Sequence, residues 1–216
     1  MAVLYRSLFA AIGLFALGLQ YGLMLGGNPG MGAGVLTVNF FSYFTILTNV
    51  VATLAFIAAL LPPTTWAGRL GRSPQLRAAM AMYIAVVGLI YHFLLAAAWA
   101  PQGWALVANN LLHYVMPIGF VLDWVLFVPK GALRWRDPVR WLAFPLVYIV
   151  WTVIHGALAG WSPGWWPYWF VNIPQLGAGK TAFWFVAILV FFLIVGFAVV
   201  AIDRMLGRRD RTAASA

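Results

Sequence analysis

Hydroxyls, amides and imidazoles are the groups in this sequence that could do chemistry, and they recur inside long apolar runs. Asn39, Ser42, Thr45, Thr48 and Asn49 fall in one run and His92 in the next. Asn109, Asn110, His113 and Asp123 follow, then Thr152 and His155. A threonine hydroxyl becomes a useful nucleophile when a base lies within hydrogen-bond reach, and histidine is the usual base near neutral pH. Thr45 and His113 permit that pairing. Such a site would be a dyad supported by amides, with Asn109, Asn110 or Asn49 orienting the imidazole or donating to an oxyanion. There is no cysteine, which excludes disulfides, thiolate zinc sites, iron–sulfur clusters and cysteine nucleophiles.

The elements that must position these groups follow from composition. Of the 216 residues 64% are hydrophobic and 8% charged, against about 25% charged in an average globular domain. Apolar stretches near 7–26, 37–62, 78–100, 104–129, 139–160 and 181–206 each meet the roughly 20 residues needed to cross a ~30 Å hydrocarbon core. The expected fold is an all-α integral membrane bundle of six transmembrane helices, one domain over 1–216. Pro101-Gln102-Gly103 is short enough to force the third and fourth spans into an antiparallel hairpin.

Lys and Arg are retained on the cytoplasmic side of a membrane. Every basic residue except Lys180 falls at the termini or in the segments around 69–77 and 130–140, so both termini are expected inside. The +9 net charge comes in short blocks between apolar runs, which reads as orientation and not as a nucleic-acid surface. The expected location is a bacterial cytoplasmic membrane, multi-pass. Arg6 followed by an apolar run also fits a cleaved signal peptide, against which stand the length of the run and its Gln20 and Tyr21.

Polar groups are costly in hydrocarbon and usually face a bundle interior. At ~1.5 Å per residue, Thr45, His92 and His113 lie roughly 12–14 Å below the outer surface, and His155 and Gln20 roughly 8–9 Å. The three histidines and Thr45 are therefore expected to line one cavity. Ser42, Thr45 and Asn49 are spaced to share a helix face, and Asn109 and His113 are neighbours one turn apart. The plainer reading of Ser, Thr and Asn is that they bond their own i−4 carbonyls or join neighbouring helices. Asp123, near the inner end of its span, is expected to pair with a basic residue of the 130–140 loop.

Gly18, Gly22 and Gly26 form a stripe that allows close approach of another helix, in this chain or a second copy. The loop after the fifth span crowds Trp161, Trp165, Trp166, Tyr168, Trp169 and Phe170 together. It reads as an interfacial aromatic belt, or as a lid whose Trp165 and Trp169 contact an amphiphile. Two motifs mislead. Gly160-Trp161-Ser162-Pro163-Gly164 spells a nucleophile elbow, but Pro163 lacks the N–H that the oxyanion hole needs. Gly177-Ala178-Gly179-Lys180-Thr181 imitates the end of a P-loop without its first glycine or preceding strand.

The segments Phe41-Ser42-Tyr43-Phe44-Thr45-Ile46-Leu47-Thr48-Asn49, Asn109-Asn110-Leu111-Leu112-His113 leading to Pro117, and Tyr148-Ile149-Val150-Trp151 to His155 with the following Trp-Pro-Tyr loop carry a resemblance. In that order the chain resembles the androgen-induced six-span membrane hydrolases, which in animals cleave fatty acid esters of hydroxy fatty acids, and their bacterial relatives. The resemblance implies a threonine nucleophile on the second span and a histidine base on the fourth, at Thr45 and His113, with Thr48 as a slipped match. It implies a lipid or fatty-acid-like substrate met within membrane lipid, no cofactor, no metal and no nucleic-acid partner. Ser42, Thr48, Asn49, His92, Asn109, Asn110, His155, Trp165 and Trp169 would support the substrate.

Two other classes stay open. His92, His113 and His155 could bind zinc or pair across a haem. A small-solute or lipid transporter is the other; against it, no span carries the Gly/Pro interruption of a broken transporter helix, although Pro117 and Pro145 could kink theirs.

Overall fold

The computed structural model describes residues 1–158 and 165–214; the Gly160 to Gly164 motif and Trp161 lie outside them. Every regular element among the described residues is helical. In chain order these are α1 (Ala2–Gly27), α2 (Ala33–Phe41), α3 (Phe44–Leu60), α4 (Trp66–Arg72) and α5 (Pro74–Ile90). α6 (Gly103–Asn110), α7 (Met116–Phe127), α8 (Asp137–Trp141), α9 (Ala143–Leu158), α10 (Ile173–Leu176) and α11 (Ala178–Ala214) complete the set. Five helical stretches are long and apolar enough to cross a membrane, and the bent pair α2–α3 makes up to six. Large apolar side chains such as Phe15, Leu54, Phe93, Val147, Phe183 and Ile194 cover the outside, as a lipid solvent requires.

α5 is the central helix. Arg77 to Val87 are buried with few interruptions, and the helix packs on α3, α7 and α11, so it is apolar nearly all round, the pattern of a core helix. Ser73 caps its N-terminus with Pro74 in the first turn. The Pro101-Gln102-Gly103 connection does bring α7 back alongside α5, with Gly103 at φ +56° making the turn. α1 is integral to the bundle: Gly13 lies against Thr53, Gly119 against Phe9, and the Tyr5 hydroxyl donates to the Gly119 carbonyl at 2.7 Å.

The glycine stripe is not what packs α1. A Cβ at Gly18, Gly22 or Gly26 would meet nothing within 4 Å. The close approach is made instead at Gly13, one turn earlier, because α3 crosses α1 there.

The segments bearing Lys and Arg come together at one end. Asp203 accepts from the Leu133 N–H at 3.0 Å, Gly207 abuts Gly131, and Arg72 donates to the Leu61 carbonyl at 2.6 Å. Asp123 is fully buried there, and its partners correct the sequence expectation. Its carboxylate takes the Arg6 Nε at 2.8 Å and an Arg77 guanidinium nitrogen, not a residue of the 130–140 loop. Arg77, which reads as a loop charge, is 1% exposed and lies over the rings of Phe56 and Phe120. The 130–140 loop has other partners: Lys130 donates to the Trp124 and Val128 carbonyls, and Asp137 accepts from the Arg134 N–H at 2.8 Å.

Candidate active site

The second apolar run is broken. α2 and α3 meet at 75° across Ser42 and Tyr43, with neither Gly nor Pro present. Ser42 Oγ donates back to the Val38 carbonyl at 2.7 Å, the backbone closes α2 through Ser42 N–H to Asn39 O, and Tyr43 turns extended (φ −84°, ψ 128°). Such a break strips backbone groups of helical partners, and at membrane depth those groups must find others.

Two tyrosines supply them. Tyr148 on α9 donates its hydroxyl to the Ser42 carbonyl at 3.0 Å and accepts the Phe44 N–H at 3.2 Å. Tyr168, from the aromatic loop after α9, accepts the Thr45 N–H at 3.3 Å and pairs with Thr45 Oγ1 at 3.4 Å. Trp151 donates to Ser42 Oγ at 3.0 Å. Ser42 therefore sits in the break, off the face that Thr45 and Asn49 share on α3.

Thr45 lies in the first turn of α3, where its hydroxyl stands at the positive end of the helix, whose leading N–H groups Tyr148 and Tyr168 accept. Thr45 opens on a partly enclosed pocket whose other polar side chains, among the described residues, are Tyr148 and Tyr168. Val86, Val87 and Ile90 of α5, Pro145 and Ile149 of α9, and Phe185, Ile188 and Phe192 of α11 form much of its apolar wall. Thr48 does not reach this pocket; its hydroxyl is buried without a hydrogen-bond partner. Asn49 donates to the Thr45 carbonyl at 2.8 Å and to the Leu112 carbonyl at 3.1 Å, tying α3 to the residue before His113.

His113 lies in a π-helical turn, Leu111–Val115, which follows α6, and a second π turn, Tyr91–Leu95, follows α5. Single π turns inside helices often mark functional sites. His113 stacks on Tyr91 with ring centroids 3.9 Å apart, and its Nδ1–H donates to the Asn109 carbonyl at 3.0 Å. Because a carbonyl only accepts, that bond assigns the proton to Nδ1 and leaves the Nε2 lone pair open. Asn109 in turn donates to the Tyr91 hydroxyl at 2.7 Å. No hydrogen bond joins Thr45 to His113: the threonine hydroxyl pairs with Tyr168, and the His113 ring with the Asn109 carbonyl.

The expected common cavity of Thr45 and the three histidines does not form: none of His92, His113 and His155 lines the pocket on which Thr45 opens. His92 is exposed on the bundle surface and pairs with Tyr114 at 3.3 Å. His155 is buried elsewhere, with Nε2 donating to Asn39 Oδ1 at 3.0 Å and its ring between Trp151 and Trp165. The π turn at Tyr91 rotates His92 outward, which a straight-helix depth count does not capture. Among the described residues no three His, Asp or Glu side chains could hold one metal ion. Asn110 is also exposed and separate from the pocket.

The aromatic loop turns inward over the site. Trp165 packs on Tyr43 and His155, Trp166 covers Gly156, and Phe170 and Val171 line the pocket. Trp169 stands at the rim against Phe170 and Trp184. Gly177, at φ +79°, begins α11, and its carbonyl accepts from the Thr181 hydroxyl, a local turn with no phosphate cradle. The residues that the sequence reading passed over are Tyr148, Tyr168 and Tyr91; the first two stand in the segments quoted for the resemblance, but as aromatic positions and not as caps. Comparison with family models, with curated proteins and with solved structures finds no match to this chain.

Proposed function

We propose that this chain is a six-span membrane protein with both termini in the cytoplasm, and an intramembrane hydrolase of lipid-like esters in which Thr45 is the nucleophile and His113 the general base. One observation carries the reading: a threonine hydroxyl stands in the first turn of a broken helix, whose leading N–H groups are held by tyrosine hydroxyls, and opens on a pocket that is apolar apart from those tyrosines. The clustering of basic segments at one end, away from that pocket, supports the orientation.

The chemistry follows from the donors present. An ester carbonyl oxygen takes the position that the Tyr168 hydroxyl holds in the resting site, so that it accepts from the Thr45 N–H, with the Phe44 N–H beside it. Thr45 Oγ1, released from Tyr168, attacks the carbonyl carbon and passes its proton to His113 Nε2. Collapse breaks the ester C–O bond, and the departing alcohol takes that proton. Water, activated by the same nitrogen, then cleaves the acyl-threonine and returns a fatty acid. Asn109 fixes the tautomer that leaves Nε2 free.

The test is labelling and turnover in purified protein. Thr45→Ala and His113→Ala are each expected to abolish ester turnover to a similar residual rate, since members of a catalytic unit are not additive. A fluorophosphonate probe should label wild type and Thr48→Ala but not Thr45→Ala. Labelling that followed Thr48 would move the nucleophile, and a wild type inert to every lipid ester would sink the reading.

A further inference from the structure

The Thr45 pocket has a neighbour. A second, open volume lies between Leu89, Phe93 and Leu94 on one side and Trp184, Ala187 and Phe191 on the other. Ile90 of α5 and Ile188 of α11 line both volumes, so they stand where the two meet. Phe93 is 73% exposed and Leu89 also faces outward, so the second volume opens on the apolar flank of the bundle. Among the described residues no charged side chain lines either one.

We propose that the gap between α5 and α11 is a lateral portal for a single acyl chain, gated by Ile90 and Ile188. The chemistry at its inner end rests on the hydrolase reading; the portal itself rests on the two adjoining volumes. A chain in the bilayer reaches the outer groove without leaving hydrocarbon, and its carbonyl is the only part that needs polar partners, which the inner volume supplies at Thr45, Tyr148 and Tyr168. A fully charged head group would find no counter-charge along this route. In helices, isoleucine holds one strongly preferred χ1, so the two gating side chains form a stiff constriction that suits a linear chain better than a branched one.

The portal is tested with a palmitate methyl ester carrying a diazirine next to the ester group, irradiated with the protein in lipid nanodiscs and mapped by peptide sequencing. Adducts are expected inside the first volume, on the stretches holding Val86, Val87 or Phe192, and excess unmodified ester should compete them away. Ala187→Trp, which fills the outer groove, and Ile90→Phe, which fills the gate, should each cut these adducts by at least about tenfold while leaving size-exclusion elution unchanged. Thr45→Ala should keep the adducts. Interior adducts that persist in both blocking variants, or their absence in wild type, would overturn the portal. Interior adducts lost in the blocking variants, in a wild type that hydrolyses no ester, would uphold the portal and remove the hydrolase.

Discussion

Two regions of this molecule solve the same problem, polar groups shut away from water, in opposite ways. At the basic end, Asp123 is clamped by Arg6 and Arg77, joining α1, α5 and α7 through full charges. At the α2–α3 break, backbone N–H and C=O groups freed by a 75° bend are met by neutral hydroxyls of Tyr148 and Tyr168. A buried charge left alone costs far more than a buried amide left alone. The first region is therefore suited to hold helices in place. The second can exchange one partner for another, which is what a substrate-binding site needs.

The largest expected effect breaks the first region. Asp123→Ala leaves Arg6 and Arg77 without their carboxylate and should cost about 3–5 kcal/mol, read as loss of monodisperse protein in detergent or a large fall in Tm. Arg77→Met combined with Asp123→Leu should recover most of that loss, since apolar replacement of a buried pair is often neutral or better. Arg6, which keeps partial exposure, can then turn its head to solvent.

Tyr148→Phe is the next step down, and it sharpens the comparison. It removes at once the donor to the Ser42 carbonyl and the acceptor of the Phe44 N–H, two neutral hydrogen bonds of about 1 kcal/mol net each. A Tm loss close to that of Asp123→Ala would erase the distinction between the two regions. Tyr168→Phe should be milder, at about 1 kcal/mol, with fluorophosphonate labelling of Thr45 retained, because it takes one neutral partner from the Thr45 N–H where Tyr148→Phe strips two backbone groups. If Tyr168→Phe unfolded the protein, the break would be a rigid joint and not an exchangeable site.

α1 gives a smaller check of the same logic. Gly119→Ala would push a methyl into the Phe9 ring, an overpacking cost of about 1–3 kcal/mol. Gly22→Ala meets open space and should change stability by less than about 0.5 kcal/mol. A large loss at Gly22 in thermal melts would show that the open stripe is covered by a second copy.

Composition and the spacing of apolar runs were enough to read an all-helical chain with helices able to span a membrane, because hydrocarbon demands long runs whose backbone bonds are satisfied within the segment. The placement of basic residues likewise anticipated their gathering at one end. The sequence also singled out Thr45, Asn49, Asn109 and His113 as polar groups in apolar surroundings.

What it could not determine was their arrangement. The bend at Ser42 and Tyr43 has no local Gly or Pro, and it stands because Tyr148 and Tyr168, more than a hundred residues away in the chain, meet its freed backbone. The π turns shift side-chain directions by a fraction of a turn, so equal depth did not mean a shared cavity, and His92 faces out while His113 stacks on Tyr91. Hydrophobic periodicity records which solvent a residue prefers. Which distant hydroxyl satisfies a broken backbone is a property of the packed fold alone.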